Sequence, residues 1–407
     1  MEDNKYIIEE RKGKKLNLFE KIQYYVLGLF YGQNTKLITV LLLIILGCGL
    51  WLRVNSNEFA QSDYLYGYIN KDGETIIKPQ FDKVGDFHEG LAYACKHGRC
   101  GYINKTGKFV IKPKFLATQD FNEGLAAVKK GNSCGYIDKT GKFIIKPKFI
   151  WAGDFHEGLA QITFWDGIKR KNNYTNGIKD SYDSGKNPVK TLENSVNIKD
   201  GYIDKTGKII MIFPPVSTSD FYNGMAAIQI DDRYGFIDRS GNIVIPPRYE
   251  SLYDARETPI PVKQDGLWGY VNKTGEFIIE PKYNEALKFN DGIAAVKEGS
   301  YWGYINKTGK YIINPQFEGA GLFNENIGFI ILNNKLGYIN ESGEIIMTPQ
   351  FDKNRYPNDC IFYEGMASVN LNNKIGFVNK NGNIIVNPIY DDASKFSEGI
   401  VKVGFKK

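Results

Sequence analysis

A glycine followed by an aromatic residue recurs nine times in this chain of 407 residues. Six of the eight intervals are 34 residues long, and the other two are 66 and 39. A period of this length is typical of tandem repeats, in which one unit cannot bury its apolar face alone and neighbouring units must stack. The pairs are Gly67-Tyr68, Gly101-Tyr102, Gly135-Tyr136, Gly201-Tyr202, Gly235-Phe236, Gly269-Tyr270, Gly303-Tyr304, Gly337-Tyr338 and Gly376-Phe377.

The unit from residue 101 to residue 134 shows the local pattern. Residues 101–104 form a short strand, and 105–107 form a tight turn that ends in glycine. Residues 108–112 are rich in β-formers and give a second strand, which ends at Pro113 because proline has no backbone donor. Residues 125–129 give a third strand. The pattern predicts three strands per unit, with the aromatic residue of each pair in the core.

These units predict an all-β fold: a tandem array of about nine three-stranded units over residues 64–407. We expect an open, elongated solenoid or superhelix, because a four-stranded propeller blade usually needs about 40 residues or more. A closed, propeller-like ring is the alternative.

The repeat resembles the bacterial WG-repeat family, also called KWG repeats. The run GYINKTGKFVIKPKF at residues 101–115 carries the resemblance, and the Trp-Gly pair that names the family stands at Trp268-Gly269 and Trp302-Gly303. The resemblance covers about residues 64–407. It implies a repeat fold used for interactions, with no common catalytic residues.

Residues 37–52 are apolar and uncharged, and they would span roughly 24 Å as a helix. We interpret residues 37–53 as one transmembrane helix and residues 54–63 as a linker. A cleaved signal peptide and a lipoprotein signal ending at Cys48 are the alternatives. The segment 1–36 is expected to contain an interfacial helix.

Positive charge predicts how the chain crosses the membrane. Residues 1–36 hold seven Lys and Arg, whereas Arg53 is the one basic residue in the stretch that directly follows the span. The positive-inside tendency therefore places the N-terminus in the cytoplasm and the repeat domain outside it. The protein is thus expected to be a single-pass membrane protein with an extracytoplasmic repeat domain.

Two departures from the repeat stand out. The interval of 66 residues contains an insertion at about 166–199, which is polar and predicts a solvated loop or a binding loop. Cys95, Cys100 and Cys134 lie within neighbouring units. A disulfide between Cys95 and Cys100, a disulfide between Cys100 and Cys134, and buried thiols all remain open.

The chain contains no recognisable catalytic motif. His88 and His156 recur in the same Phe-His-Glu-Gly context, but we interpret this as chance and expect no metal site. Acids that recur once per unit, such as Glu89, are better explained as turn residues than as a catalytic pair. We expect no enzyme activity, no catalytic residue and no cofactor.

The sequence therefore favours a membrane-anchored, non-catalytic scaffold that binds another protein or a cell-envelope polymer. The alternative is a carbohydrate or cell-wall binding module that uses exposed aromatic residues, with Trp165, Trp268 and Trp302 as candidates. Nucleic acid is not expected, because the net charge is only +6 over the whole chain.

Overall fold

The computed structural model describes residues 63–166, 198–353 and 360–407. The predicted transmembrane helix at 37–53, the segment 1–36 and most of the insertion lie outside the described residues. Within the described residues every named element is a β-strand, and the strands pair antiparallel.

The strands form eight sheets, which we divide into nine blades, numbered 1 to 9. Blade 9 combines both ends of the domain: β1 (Tyr64–Asn70) and β2 (Thr75–Phe81) with β33 (Asp392–Ala393) and β34 (Ile400–Lys406). Blade 1 contains β3 (Lys83–Val84), β4 (Ala92–Lys96), β5 (Arg99–Ile103) and β6 (Phe109–Phe115). Blade 2 contains β7 (Ala117–Thr118), β8 (Ala126–Lys130), β9 (Ser133–Ile137) and β10 (Phe143–Phe149). Blade 3 contains β11 (Trp151–His156), β12 (Leu159–Trp165), β13 (Ile198–Asp204) and β14 (Ile209–Phe213).

The remaining blades repeat this order. Blade 4 contains β15 (Met225–Ile230), β16 (Arg233–Asp238) and β17 (Ile243–Tyr249). Blade 5 contains β18 (Ser251–Leu252), β19 (Ile260–Gln264), β20 (Leu267–Val271) and β21 (Phe277–Tyr283). Blade 6 contains β22 (Glu285–Ala286), β23 (Ile293–Glu298), β24 (Tyr301–Asn306) and β25 (Tyr311–Phe317). Blades 7 and 8 contain β26 (Gly319–Asn324), β27 (Ile327–Leu332), β28 (Lys335–Asn340) and β29 (Ile345–Asp352); and β30 (Met366–Leu371), β31 (Lys374–Asn379) and β32 (Ile384–Tyr390). One residue pair, Asp352 with Asn370, joins blades 7 and 8 into a seven-stranded sheet.

The domain closes on itself, which corrects the expectation of an open array. Strand β1 pairs along its whole length with β34, from Tyr64 opposite Lys406 to Asn70 opposite Ile400. The first and last strands of the repeat domain therefore share one sheet, as the ring alternative requires. An open array would leave both of these strands at free edges.

Packing between blades follows the same ring. Nine clusters of buried apolar side chains each join two successive blades, and one of them joins blade 8 to blade 9. Nine blades in an open row would have only eight such interfaces. Burial of these clusters is the main stabilising contribution in a repeat fold.

The predicted count of three strands per unit is also wrong. Most blades have four strands, because the segment after the proline adds a short first strand, such as β7, before the glutamate turn. That first strand is only two residues long in most blades, so four strands fit within 34 residues.

The aromatic residue of each glycine pair is buried between blades, as predicted from the sequence. All nine are at most 1% exposed. The tyrosines also donate a hydrogen bond to the next blade: the Tyr102 hydroxyl reaches the carbonyl of Gln119 at 2.7 Å, and that of Tyr136 reaches Gly153 at 2.7 Å. The aromatic ladder therefore builds the core.

Candidate functional site

One position of the repeat carries an aspartate in blades 1 to 5. Asp86, Asp120 and Asp254 follow the first strand of their blades, Asp154 lies within β11, and Asp220 precedes β15, the first named strand of blade 4. We call this set the carboxylate arc: Asp86, Asp120, Asp154, Asp220 and Asp254. The same position in blades 6 to 9 holds Lys288, Leu322, Ile361 and Lys395. This position is equivalent in all nine repeats, but its side chain is acidic in blades 1 to 5 and basic or apolar in blades 6 to 9.

Two members of the arc each contact a histidine of the preceding blade. His88 Nε2 lies 3.7 Å from a carboxylate oxygen of Asp120, and His156 Nε2 lies 3.4 Å from Asp220. Between them, Asn122 Nδ2 is 3.4 Å from His156 Nε2. The recurrence of His88 and His156, which we interpreted as chance, is thus explained by a contact that each makes with the next blade. The sequence alone does not show which residues of neighbouring blades meet.

Two carboxyl groups in the arc are held in an unfavourable environment. Burial raises the pKa of Asp154 to about 7, and the neighbouring Asp120 and Asp220 carboxylates add to the rise. Burial likewise raises the pKa of Asp120 to about 6, although His88 opposes the change. In each residue Oδ1 is buried and accepts no hydrogen bond from the described part of the chain. Functional sites often retain such costs.

A lysine lies near the carboxylate at each end of the arc, and at the Asp86 end a serine hydroxyl donates to the carboxylate as well. At one end the Ser394 hydroxyl donates to Asp86 at 2.6 Å, and Lys402 Nζ lies 3.8 Å from the same carboxylate. At the other end Lys288 Nζ is 3.9 Å from Asp254. In the described residues no lysine lies within ion-pair distance of Asp120, Asp154 or Asp220, although Lys402 and Lys395 oppose the rise in the pKa of Asp120 from further away.

A second set of acids, the recurring glutamates, links neighbouring blades. Glu89 accepts a hydrogen bond from the Gly124 amide at 3.1 Å and pairs with Lys139 at 3.0 Å. Glu398 makes the same contacts with the Gly90 amide at 3.0 Å and with Lys105 at 3.2 Å, and these contacts close the ring. The interpretation of these acids as turn residues is confirmed, since Glu89 has a φ of 52°. Their role between blades is new.

The three candidate tryptophans lie in different environments. Trp302 is 9% exposed and packs in the core between blades 6 and 7. Trp268 is half-buried, with its ring 5.6 Å from that of Tyr253. Trp165 is 59% exposed and pairs with Ile198 at the base of the insertion. The three rings do not form one surface.

A small cleft lies beside that base, between blades 3 and 4. Its lining includes Trp151, Thr163 and Asp200. The Thr163 hydroxyl donates to Asp200 at 2.6 Å, and burial raises the pKa of that carboxyl. The ring of Trp151 supplies the aromatic part of the cleft.

The structure chooses among the cysteine alternatives. Cys95 and Cys100 are bonded to each other across the hairpin of β4 and β5, where they lie directly opposite with Cα atoms 4.0 Å apart. Cys134 is buried and its thiol lies 3.6 Å from the carbonyl oxygen of Ile150. The Cys100–Cys134 pairing is therefore not formed.

No group of three or more His, Cys, Asp or Glu is placed to hold a metal ion in residues 63–166, 198–353 and 360–407. Within the same ranges, no helix is long and apolar enough to cross a membrane.

Comparison with known families gives repeats whose boundaries are offset from those of the blades. The model of the WG containing repeat matches nine stretches, which together cover three quarters of the chain: 66–100, 101–134, 135–163, 201–234, 234–268, 268–302, 302–335, 337–374 and 375–405. The chain belongs to the WG-repeat family. Each WG repeat begins at the third strand of one blade and ends at the second strand of the next, so each repeat spans two neighbouring blades.

Several solved structures are similar to the WG-repeat ring at low identity. A eukaryotic initiation factor is 12% identical with a TM-score of 0.42, over 69% of this chain and 79% of that one. AztD from Citrobacter koseri is 12% identical with a TM-score of 0.34, over 84% of this chain and 98% of that one. Hsv2 from Kluyveromyces lactis is 12% identical with a TM-score of 0.31, over 46% and 69%. A search of curated proteins gives no match.

Proposed function

We propose that the protein is a membrane-anchored, non-catalytic scaffold whose WG-repeat ring binds another protein or a component of the cell envelope. The supporting observation is that the residues that recur around the ring are used to build it. The aromatic residue fills the core, and the recurring glutamate links neighbouring blades. What differs between blades, such as the residue at the arc position, is therefore what a partner can recognise.

The membrane anchor in this proposal is residues 37–53, and the linker reaches the ring at Asp63. The basic residues of segment 1–36 favour a cytoplasmic N-terminus and an extracytoplasmic ring. The bond between Cys95 and Cys100 supports that location, because structural disulfides persist in oxidising compartments.

Protease treatment of intact cells tests this topology. We expect the ring to be digested from outside while the N-terminal segment stays protected. Mass analysis of the purified chain should show the Cys95–Cys100 bond before reduction and two more thiols afterwards. Protection of the ring until the membrane is opened, together with reduced Cys95 and Cys100, would reverse the proposed location.

Crosslinking of the full chain in its native membrane tests the binding role. Photoreactive residues on the ring should capture a small number of discrete partners, and chain lacking residues 63–407 should capture none of them. Capture of the same set by an unrelated membrane-anchored domain would contradict the proposal.

A carbohydrate-binding role is the second candidate. It is favoured by the exposed ring of Trp165 and by the nearby cleft that contains Trp151 and Asp200. If it is correct, Trp165→Ala should lower retention of the full chain on peptidoglycan, and Trp268→Ala, in another part of the ring, should not. Equal retention by both variants and by the unchanged chain would contradict it.

A further inference from the structure

The outer strands of blades 1 and 2 present lysines in register. Strand β6 exposes Lys112 and Lys114, and β10 exposes Lys146 and Lys148, while the residues between and beside them face the core or are half-buried. Residues 82–149 hold 13 Lys and Arg but only 6 Asp and Glu. We call these four side chains the lysine edge.

The lysine edge lacks internal neutralisation. Elsewhere in the described ring, turn lysines such as Lys105 and Lys139 are paired with glutamates of the preceding blade. By contrast, Lys114 and Lys148 donate to backbone carbonyls of the next blade, at 3.5 and 3.4 Å, and each Nζ lies over the ring of the adjacent phenylalanine, at 5.2 and 5.1 Å. No carboxylate of the described residues lies within ion-pair distance of any of the four. Their charge is therefore available to a partner.

The backbone beside these lysines is also available. In the described sheets β6 and β10 are the last strands of their blades, so one edge of each has no neighbouring strand. An edge strand presents unpaired amide and carbonyl groups to any extended chain that approaches it, although Pro113 and Pro147, which separate the two lysines of each strand, have no amide N–H. Lysine side chains make such an edge selective, because they repel basic segments and attract acidic ones.

Protection against aggregation is the simpler explanation of lysines on an edge strand. The other outer strands argue against it. Strand β32 is more in need of protection, because it exposes Ile384, Ile385 and Ile389 at 45%, 39% and 52%. It nevertheless contains no charged residue. The lysines are thus concentrated in two adjacent blades and are absent where the edge is most apolar.

We propose that the lysine edge binds an extended acidic segment of a partner protein, which adds to blade 1 or blade 2 as a further strand. Alternate residues on a strand are about 6.7 Å apart, so acids at every second position would face Lys112 and Lys114, or Lys146 and Lys148. Val110 and Ile144, which are 50% and 45% exposed, continue the same face and would accept an aliphatic residue. This inference rests on the proposed function as a protein-binding scaffold.

The test uses the full chain in a non-ionic detergent and a fluorescent synthetic peptide in which glutamate alternates with threonine. Fluorescence anisotropy should detect binding of this peptide. A peptide of the same composition with its glutamates in one block should bind more weakly, because its acids lie on both faces of a strand. Equal binding of the two peptides would overturn strand addition.

Matched variants test the location. Lys112→Gln/Lys146→Gln should weaken binding about fourfold, which corresponds to one lost cross-strand charge pair per edge. Lys282→Gln/Lys310→Gln removes the same charge from blades 5 and 6 and should leave affinity unchanged. Equal losses in both variants would overturn the proposal, and so would tighter binding of single-stranded DNA or anionic vesicles than of the peptide. If the lysine-edge variant still captures partners in native membranes, this inference fails while the proposed function stands.

Discussion

The glycine and the aromatic residue of each repeat are needed for different physical reasons. A Cβ atom on Gly101 would lie 2.2 Å from the carbonyl oxygen of Ile111 and 2.7 Å from the nitrogen of Pro113. Only glycine allows the third and fourth strands of a blade to approach this closely. The following Tyr102 turns its ring into the interface with the next blade, where it is fully buried.

The hydroxyl and the ring of Tyr102 should make separable contributions. Tyr102→Phe removes the hydrogen bond to Gln119 and should lower the free energy of unfolding by about 1 kcal/mol, and Phe already occupies this position at Phe236. Tyr102→Ala also empties the interface and should cost about 3–5 kcal/mol. Denaturant unfolding of the full chain measures both. Equal losses would mean that the ring contributes little to the core.

The carboxylate arc predicts an unusual dependence on pH. Because the pKa of Asp154 is raised to about 7 in the folded chain, folding favours its protonated form. The penalty is absent below the unfolded pKa of about 4, grows as the pH rises and is complete above about 7. Asp154→Asn should therefore stabilise the protein by about 4 kcal/mol at pH 8, with little effect at pH 4.

Thermal unfolding at both pH values measures this effect, with Asp72→Asn as the control. Asp72 lies in an exposed turn of blade 9 and its replacement should change neither melting temperature. A destabilised Asp154→Asn at pH 8 would mean that the arc is compensated within the protein.

At the scale of the element, the sequence predicts the strands of each hairpin, but it does not predict the complete set of strands in a blade or the contacts between blades. The strands on either side of the Gly-aromatic pair follow from β-formers bounded by turn residues, and they lie near the predicted positions. The short first strand, such as β3 or β7, was missed because two residues give no periodic pattern. Contacts between blades, such as that of His88 with Asp120, were missed because they join residues a full repeat apart.

The glutamate link between blades should respond to acid in the opposite sense to the arc. Burial tends to raise the pKa of Glu398, but the Gly90 amide and Lys105 outweigh it and lower that pKa. The stabilisation is therefore complete above the usual pKa of about 4.5 and is lost as the pH falls below it. A double-mutant cycle of Glu398→Gln and Lys105→Gln should give a coupling of at most ~1 kcal/mol at pH 7.

That coupling should fall as the pH is lowered through the reduced pKa of Glu398. The matched cycle of Glu123→Gln and Lys205→Gln should behave alike, because the same contacts recur two blades further along and lower the pKa of Glu123. A coupling that is independent of pH would show that the charge of the glutamate is not what links the blades.

At the scale of the molecule, the spacing of the Gly-aromatic pairs predicted the repeat but not the closure. The number of units and their stacking follow from the period of 34 residues. Whether the stack closes depends on the rotation between neighbouring blades and on pairing between β1 and β34, which are more than 300 residues apart. The uneven distribution of charge around the ring is equally hidden in a net charge of +6.

Closure of the ring is the central claim, and a crosslink between its ends tests it most directly. Leu65 lies opposite Phe405 in the pairing of β1 with β34. In the full chain, Leu65→Cys/Phe405→Cys should form an intramolecular disulfide under mild oxidation, identified by peptide mapping. Leu65→Cys/Lys199→Cys, with its second cysteine in blade 3, should form none. If Leu65→Cys/Phe405→Cys gives only thiols or bonds between molecules, the nine blades form an open row and the ring is wrong.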